Sequence, residues 1–502
     1  MRMAAWNRLS RFIHTEWLGI VVFLLALGLR LYRLGGQPLW LDEIYSVQLV
    51  RQGFLAILQN SQNEPHPPLF YLLQWLTTAG GAAQAERGWR WVSALSGGLT
   101  ILCLYLLCRG FTGRLMSTLA ALALAVSPMH VYYSQEGRPF AFVTLLEAWS
   151  MLLVSGIISQ PKCRWRWVTL ALVSLAGLYC NYFYLLVILA QGLYLLLRTR
   201  QRDWWLYAAL VGLGSIPAAF WMAPTLLAAS QHSQTLPPLT FLAFFQSLGG
   251  ETARFPLAWY HGCLALVVGG LSFLGIALAV GRAFKEPLGH YLVFQALIPL
   301  VLLFGILAPL GVKMPYYQVR QLLLLTPALF GLMAYALEHL TRRAGWWLAV
   351  LLTAAALVAS AAGLRAYWSY IKSPETLTVL SMRSEIQAGD SMVSLDYYTT
   401  AAAYYYLPET PIWVALGTPA GEVQFTPDRL LYPLTLLDPP APADITLAEI
   451  RAASRIWVLD RRGVREELRT ALTEQCTLLQ EFSHPPFAAS LWTNCAPQEN
   501  DE

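Results

Sequence analysis

The chain has 502 residues, of which 56% are hydrophobic and only 13% are charged, against about 25% charged in a soluble globular protein. With a formal net charge of +5 and a mean hydropathy of +0.47, it is excluded from the soluble single-core class and reads as a polytopic membrane protein, because lipid-facing helices cannot carry charge cheaply. No basic run is dense enough for nucleic acid, and the seven cysteines show no CxxC or other metal-type spacing.

In chain order, Arg2, Arg8 and Arg11 precede a first apolar segment. That start resembles a signal peptide, but the segment is too long for a signal core and has no A-x-A site before Arg30, so it reads as an uncleaved first span. A span needs roughly 20 mostly apolar residues. Candidate spans begin near residues 17, 89, 115, 139, 166, 182, 204, 259, 288, 320 and 345, about eleven in all. The pieces near 166 and 182 are short. Cations recur in every second loop: Arg109 and Arg114; Lys162, Arg164 and Arg166; Arg198, Arg200 and Arg202; Arg282 and Lys285; Arg342 and Arg343. The positive-inside rule assigns that side, and the N-terminus, to the cytoplasm. The remaining loops, about 35–88, 130–138, 229–258 and 312–319, then face outward, and an odd span count sends the C-terminus out with them. Within the first of these loops, "IYSVQLVRQGFLAILQ" and "PPLFYLLQWLTTAG" read as helices lying in the membrane interface.

Past residue 370 the long apolar runs stop. "SMVSLD" (391–396) and "RIWVLD" (455–460) read as strands, "LAEIRAAS" and "VREELRTALTEQ" as helices, and the terminal "CTLLQEFSHPPFAASLWTNC" as two strands about a proline turn. The expected organisation is an all-α membrane domain over residues 1–370 and a small exoplasmic α/β domain over 371–502. Cys476 and Cys495 flank the terminal turn symmetrically, as a disulfide or as two buried thiols. Asp460 ends its strand, as a plain strand terminus or as a ligand edge.

Four groups could carry chemistry. Asp42 and Glu43, in "WLDEIYS" (40–46), stand just beyond the first span between Trp40 and Tyr45. They read either as a helix N-cap or as a partly desolvated base for an acceptor hydroxyl or amine. Glu136 and Arg138, in "SPMHVYYSQEGRPFAF" (127–142), read as a local ion pair or as an acid beside a cation in a shared cavity. Glu64 and His66, in "NEPHPPLFY" (63–71), read as a stiff proline turn or as a metal or substrate contact. Lys313 and Arg320, in "KMPYYQVRQLLLLTP" (313–327), read as snorkelling cations or as an anion site, where arginine binds phosphate bidentately. Tyr45 and Tyr182, the latter in "LYCNYFYL" (178–185), are aromatic candidates for substrate contact or interface packing. No Walker A, GxSxG or HExxH is present.

Acids and cations thus gather on the outward face, where nucleotide-activated donors are not normally available. A polyprenyl-phosphate sugar would suit such a site, with Arg and Lys meeting the phosphate charge and a carboxylate activating the acceptor. "RLYRLGGQPLWLDEIYS", "HPPLFYLLQW", "SPMHVYYSQEGRPFAF" and "VRQLLLLTPAL" resemble segments of GT-C glycosyltransferases, chiefly the bacterial members of glycosyltransferase family 39 that include protein O-mannosyltransferases and aminoarabinose transferases. The resemblance covers about residues 15–340. It implies Asp42 as catalytic base with Glu43 in support, Glu136 as second acid, and Arg138 and Arg320 as the family's cations. It departs at Arg320-Gln321, where many relatives have Arg-Tyr, and at Asn181-Tyr182-Phe183, where many have His-Tyr-Phe. Metal use varies within the GT-C class, so no cofactor is assigned and a divalent metal stays open.

The expected function is transfer of a sugar from a polyprenyl-phosphate donor to a glycan, lipid or protein acceptor at the outer face of the inner (plasma) membrane, with membrane lipids as the other partners. The alternative is a transporter or flippase of lipid-linked sugars. It would place its distinctive charges near the membrane midplane, whereas these cluster at one face. A non-catalytic scaffold would leave the outer acids unexplained.

Overall fold

The computed structural model describes residues 2–61, 66–83, 85–199, 202–223, 241–249, 257–281, 286–307, 319–394, 397–408, 410, 412–414, 455–461, 473 and 476–494. In chain order the helices are α1 (Arg2–Leu31), α2 (Leu41–Arg51), α3 (Phe54–Asn60), α4 (Leu69–Thr77), α5 (Glu86–Arg109) and α6 (Arg114–Ala125). There follow α7 (Pro128–Ser134), α8 (Phe140–Ser159), α9 (Arg164–Leu178), α10 (Tyr184–Thr199), α11 (Asp203–Ser215) and α12 (Phe241–Ser247). Next come α13 (Trp259–Gly281, with a π-helical turn at Ala265–Gly269), α14 (Pro287–Leu300), a 3-10 turn (Val319–Leu325), α15 (Thr326–Ala344) and α16 (Trp346–Ser369). Two shorter helices, α17 (Pro374–Met382) and α18 (Tyr397–Tyr406), lie among the strands of the C-terminal part.

Seven helices among the described residues are long and apolar enough to cross a membrane, or eight if the bent pair α6–α7 counts as one span. The other three expected spans correspond to α9, α10 and α11, of 15, 16 and 13 residues. At 1.5 Å per residue these reach roughly 20–24 Å, short of the roughly 30 Å hydrocarbon core. Both interfacial segments of the first outward loop are helical, as α2–α3 and α4.

The chain forms two compact units. The first comprises residues 1–34, 54–83 and 87–370; the second comprises 35–53, 84–86 and 371–502. Residues 35–53, which carry Asp42 and which the sequence places with the membrane domain, therefore group with the C-terminal residues. Their backbone polar groups account for this. The Leu39 N–H donates to the Tyr406 hydroxyl (2.9 Å), and the Leu39 carbonyl accepts from Thr376 Oγ1 (2.8 Å). The Lys372 N–H donates to Gln37 Oε1 (2.7 Å) and Ser373 Oγ to the Pro38 carbonyl (3.3 Å).

In the first unit, α15 is the most enclosed span, its 326–337 stretch wholly buried. It carries Pro327 in its first turn, where a missing N–H costs nothing, and ends after Arg342 and Arg343, as helix ends prefer. Gly345, at φ 87°, then takes the left-handed conformation that turns the chain into α16. A Cβ at Gly275 would collide with the Leu332 backbone carbonyl, so glycine there sets the close approach of α13 and α15. The 60° break between α6 and α7 exposes carbonyls that α6 cannot satisfy. Buried Arg30 of α1 fills the gap: Nη1 donates to the carbonyls of Ala125 (3.0 Å) and Ala26 (2.8 Å), Nε donates to Ser134 Oγ (3.2 Å), and Nη2 lies 2.7 Å from His130 Nδ1.

The second unit holds a five-stranded sheet of order β2-β1-β3-β5-β4, with β1 (Ser391–Ser394), β2 (Ile412–Val414), β3 (Arg455–Arg461), β4 (Thr477–His484) and β5 (Phe487–Thr493). β1 pairs parallel with β2 and β3, while β5 pairs antiparallel with β3 and β4. The expected strands and the terminal hairpin are all present. Asp390, just before β1, anchors this edge: its carboxylate accepts from Arg455 Nε (2.8 Å) and Trp457 Nε1 (2.8 Å). Cys476 is disulfide-bonded; Cys495 and the two expected helices at 447–454 and 464–475 lie outside the described residues.

Candidate active site

The "SQEGRPF" turn between α7 and α8 is held from several elements of the first unit. Gln135 Nε2 donates to the carbonyls of Arg30 (2.9 Å) and Tyr32 (2.7 Å), and Gln135 Oε1 accepts from the Tyr367 hydroxyl (2.8 Å). The Gly137 carbonyl accepts from Gln74 Nε2 of α4 (3.1 Å), and the Arg138 carbonyl from Ser93 Oγ of α5 (3.0 Å). Glu136 and Arg138 are fully buried on this fixed turn. Arg138 Nη1 reaches the Tyr71 hydroxyl of α4 at 3.5 Å.

Phe140, which opens α8, is the hub around which the cations collect. The His66 ring meets it edge-on at 5.3 Å between centroids, and the Arg320 guanidinium lies 5.0 Å from its ring centre. His66 is buried, and its Nδ1 has no hydrogen-bond partner among the described residues. Burial first, then the positive fields of Arg138 and Arg320, holds its pKa well below the ordinary 6.5, so the imidazole is neutral. The structure thus brings together three sequence candidates from three segments, His66, Arg138 and Arg320, with Glu136 two residues from Arg138. Two permanent positive charges beside a neutral imidazole make a strongly anion-attracting group.

The two departures from the family pattern turn out to be one feature. Asn181 Nδ2 donates to Gln321 Oε1 (2.9 Å), and Asn181 Oδ1 accepts from the Phe183 N–H (2.9 Å). Both side chains are buried, and Gln321 directly follows Arg320. Tyr182 sits half-buried between Asn181 and Phe183. Lys313 and Glu64 lie outside the described residues.

Asp42, Glu43 and Tyr45 occupy α2 of the second unit, and the two carboxylates differ in setting. Glu43 is buried, and its Oε2 accepts the Trp40 N–H (3.3 Å), closing the helix N-terminus. Asp42 is half-buried on the first turn. At the far end of α2, Arg51 lies over Tyr405 (4.9 Å to the ring centre). Within the same unit the Lys372 ammonium stands 6.0 Å from the Trp40 ring. Of these side chains, Phe140, Tyr71 and Gln321 were not picked out from the sequence as site residues, although all fall inside its quoted motifs.

Among the described residues no three His, Cys, Asp or Glu side chains are grouped to hold a metal ion.

Residues 65–227 match the family model described as dolichyl-phosphate-mannose-protein mannosyltransferase. No curated protein matches the chain. Among solved structures, ArnT from Cupriavidus metallidurans is similar in its apo state with a TM-score of 0.56 and 13% identity, over 99% of this chain and 100% of that one. The same protein bound to undecaprenyl phosphate gives a TM-score of 0.57 and 12% identity, over 98% and 99%. The archaeal oligosaccharyltransferase AglB from Archaeoglobus fulgidus, in complex with an inhibitory peptide and a dolichol-phosphate, gives 0.52 and 13%, over 78% of this chain and 64% of that one. Multiple spans, an ArnT-like architecture across nearly the whole length and a segment matching the mannosyltransferase model that contains the His66 and Arg138 motifs identify the chain as a multi-span membrane protein of the GT-C fold.

Proposed function

We propose that the protein transfers a sugar from a polyprenyl-phosphate donor to an acceptor on the exoplasmic side of the inner membrane. The observation that carries this reading is the gathering of Arg138 and Arg320 around His66 and Phe140 at the end of α8. Two guanidiniums match a phosphodiester and the further negative charge that it gains on leaving. The neutral imidazole can donate a hydrogen bond to the same phosphate without adding repulsion. The undecaprenyl phosphate bound to ArnT, a protein of the same fold, supports a lipid-phosphate donor. The regular cation clusters in alternate loops support the exoplasmic assignment.

In the reaction, the acceptor oxygen or nitrogen forms a bond to the anomeric carbon while the bond from that carbon to the phosphate oxygen breaks. The electron pair leaves with the lipid phosphate, held by Arg138 and Arg320. Asp42 takes the acceptor's proton as general base; Glu43, committed to the α2 N-terminus, keeps that helix start in place. Glu136 balances the local positive charge when no donor is bound, and Tyr45 and Tyr182 contribute aromatic faces to the substrates. Lys313 adds a further cation for the phosphate, and any divalent metal would come with the donor's phosphate rather than from a protein ligand set. The acceptor is a glycan, a lipid or a protein.

The test uses membranes containing the full chain and a radiolabelled polyprenyl-phosphate sugar. Asp42→Asn is expected to abolish transfer with the protein still folded in the membrane, and Arg320→Ala to weaken donor use more than acceptor binding. Full activity in Asp42→Asn removes the base assignment. Movement of the labelled donor across the bilayer with no transfer product makes the protein a flippase.

A further inference from the structure

Two turns below Phe140, three helices of the first unit turn polar side chains into one buried level. α8 supplies Glu147 and Ser150, α10 supplies Tyr184 and Gln191, and α14 supplies Tyr291 and Gln295; all six are fully buried. Gln295 Nε2 donates to Glu147 Oε1 (3.0 Å), Gln191 Nε2 donates to Ser150 Oγ, and Ser150 Oγ donates to the Glu147 carbonyl (2.7 Å). The Tyr184 and Tyr291 hydroxyls are buried with no hydrogen-bond partner among the described residues.

Five buried oxygens from three helices are left without partners here. Both glutamines direct an NH2 group at protein oxygens. Their Oε1 atoms, and Glu147 Oε2, are buried with no hydrogen-bond partner among the described residues. No Lys, Arg or His charge acts on Glu147 among those residues. A carboxylate in such a place must be neutralised. A bare proton would satisfy one carboxyl oxygen, and in the structure neither tyrosine hydroxyl donates to an amide oxygen, so both amide oxygens stay unmet. A divalent ion would exceed the single negative charge. Carboxylate and amide oxygens, with hydroxyls in reach, suit a hard cation of charge one.

We propose that Glu147, Gln191 and Gln295 form a binding site for one alkali-metal cation, distinct from the donor-phosphate residues above it. Glu147 neutralises the ion, the two amide oxygens ligate it, and the Tyr184 and Tyr291 hydroxyls complete the oxygen shell. Occupancy clamps α8 to α10 and α14. Because α8 also presents Phe140, the clamp fixes the helix that seats Arg320 and His66. The site stands whether or not the donor assignment does.

The test measures thermal unfolding of the purified full-length protein in detergent, in lithium, sodium, potassium and choline chlorides at constant ionic strength and pH. One alkali ion is expected to raise the midpoint saturably by a few degrees over choline, and radioactive counting of that ion to find one bound per chain. Glu147→Gln, which keeps the shape and removes the charge, is expected to abolish both signals. If that variant does not fold, Gln295→Leu is expected to weaken ion binding at least tenfold. Equal midpoints in all four salts, with stability that follows pH alone, overturn the proposal and make Glu147 a buried neutral acid.

Discussion

Helix α8 carries two opposite chemistries on one face. At its start, Phe140 collects cationic and imidazole side chains; at Glu147, seven residues and roughly 10 Å further on, the helix meets a carboxyl and amide cluster. The difference comes from the neighbours. The upper level is built from segments that break helix geometry: the proline-rich approach to α4, the "SQEGR" turn and the 3-10 turn before α15. Those segments can aim long, charged side chains at a ligand. The lower level is built from the interiors of α10 and α14, each of which presents a glutamine amide to α8. One helix of a membrane protein can thus carry two polar levels of different chemistry, provided that each recruits different partners.

Arg138→Ala attacks the upper level hardest. It is expected to cut kcat/KM for the lipid donor by about a hundred- to thousandfold, the usual loss for one donor to developing charge. The alkali-ion dependence of unfolding should stay as in wild type. Steady-state assays beside the salt series check this, and a changed salt response would merge the two levels into one.

Gln321→Leu should act on the same level by less. It removes the Asn181 bridge beside Arg320, and we expect the donor KM to rise about tenfold with kcat little changed, since an ill-placed cation loses about one charge-assisted hydrogen bond. An equal fall in kcat would mean that Gln321 touches the reacting atoms.

His66 gives the upper level a pH signature. Its folded pKa is depressed below 6.5 by burial and two guanidiniums, so the unfolded chain binds the proton first as pH falls. Stability is then complete above pH 6.5 and declines below it. His66→Asn should flatten the fall of the unfolding midpoint between about pH 6.5 and 5. An unchanged slope would show that other groups titrate there.

Thr144 lies between the levels, buried, with Oγ1 donating to the Phe140 carbonyl (2.8 Å). Thr144→Val should lower stability by less than about 1.5 kcal/mol and leave donor use and salt response untouched. Chemical denaturation and the two assays together check the separation.

The upper level was largely legible in the sequence, because "HPPLFY", "SQEGRPF" and "VRQ" put charges where turns between spans need none. The partnership of Asn181 with Gln321 was not, since two uncharged amides 140 residues apart leave no trace in composition. Nor was the lower level read, although a lone Glu inside "FAFVTLLEAWSMLLVSGIIS" is a signal that a bilayer rarely tolerates without purpose. The grouping of α2 with the C-terminal unit rests on backbone contacts of residues 37–39 with residues 372–406, which no local pattern encodes. Hydropathy found the full-length spans, and the three further apolar runs form the shorter helices α9, α10 and α11.

The seat of Arg30 bears on how the protein is made. α1 carries a guanidinium whose receiving carbonyl, Ala125, is synthesised 95 residues later. The α6–α7 elbow is what gives that cation a buried partner, so α1 and the elbow can take their final packing only together.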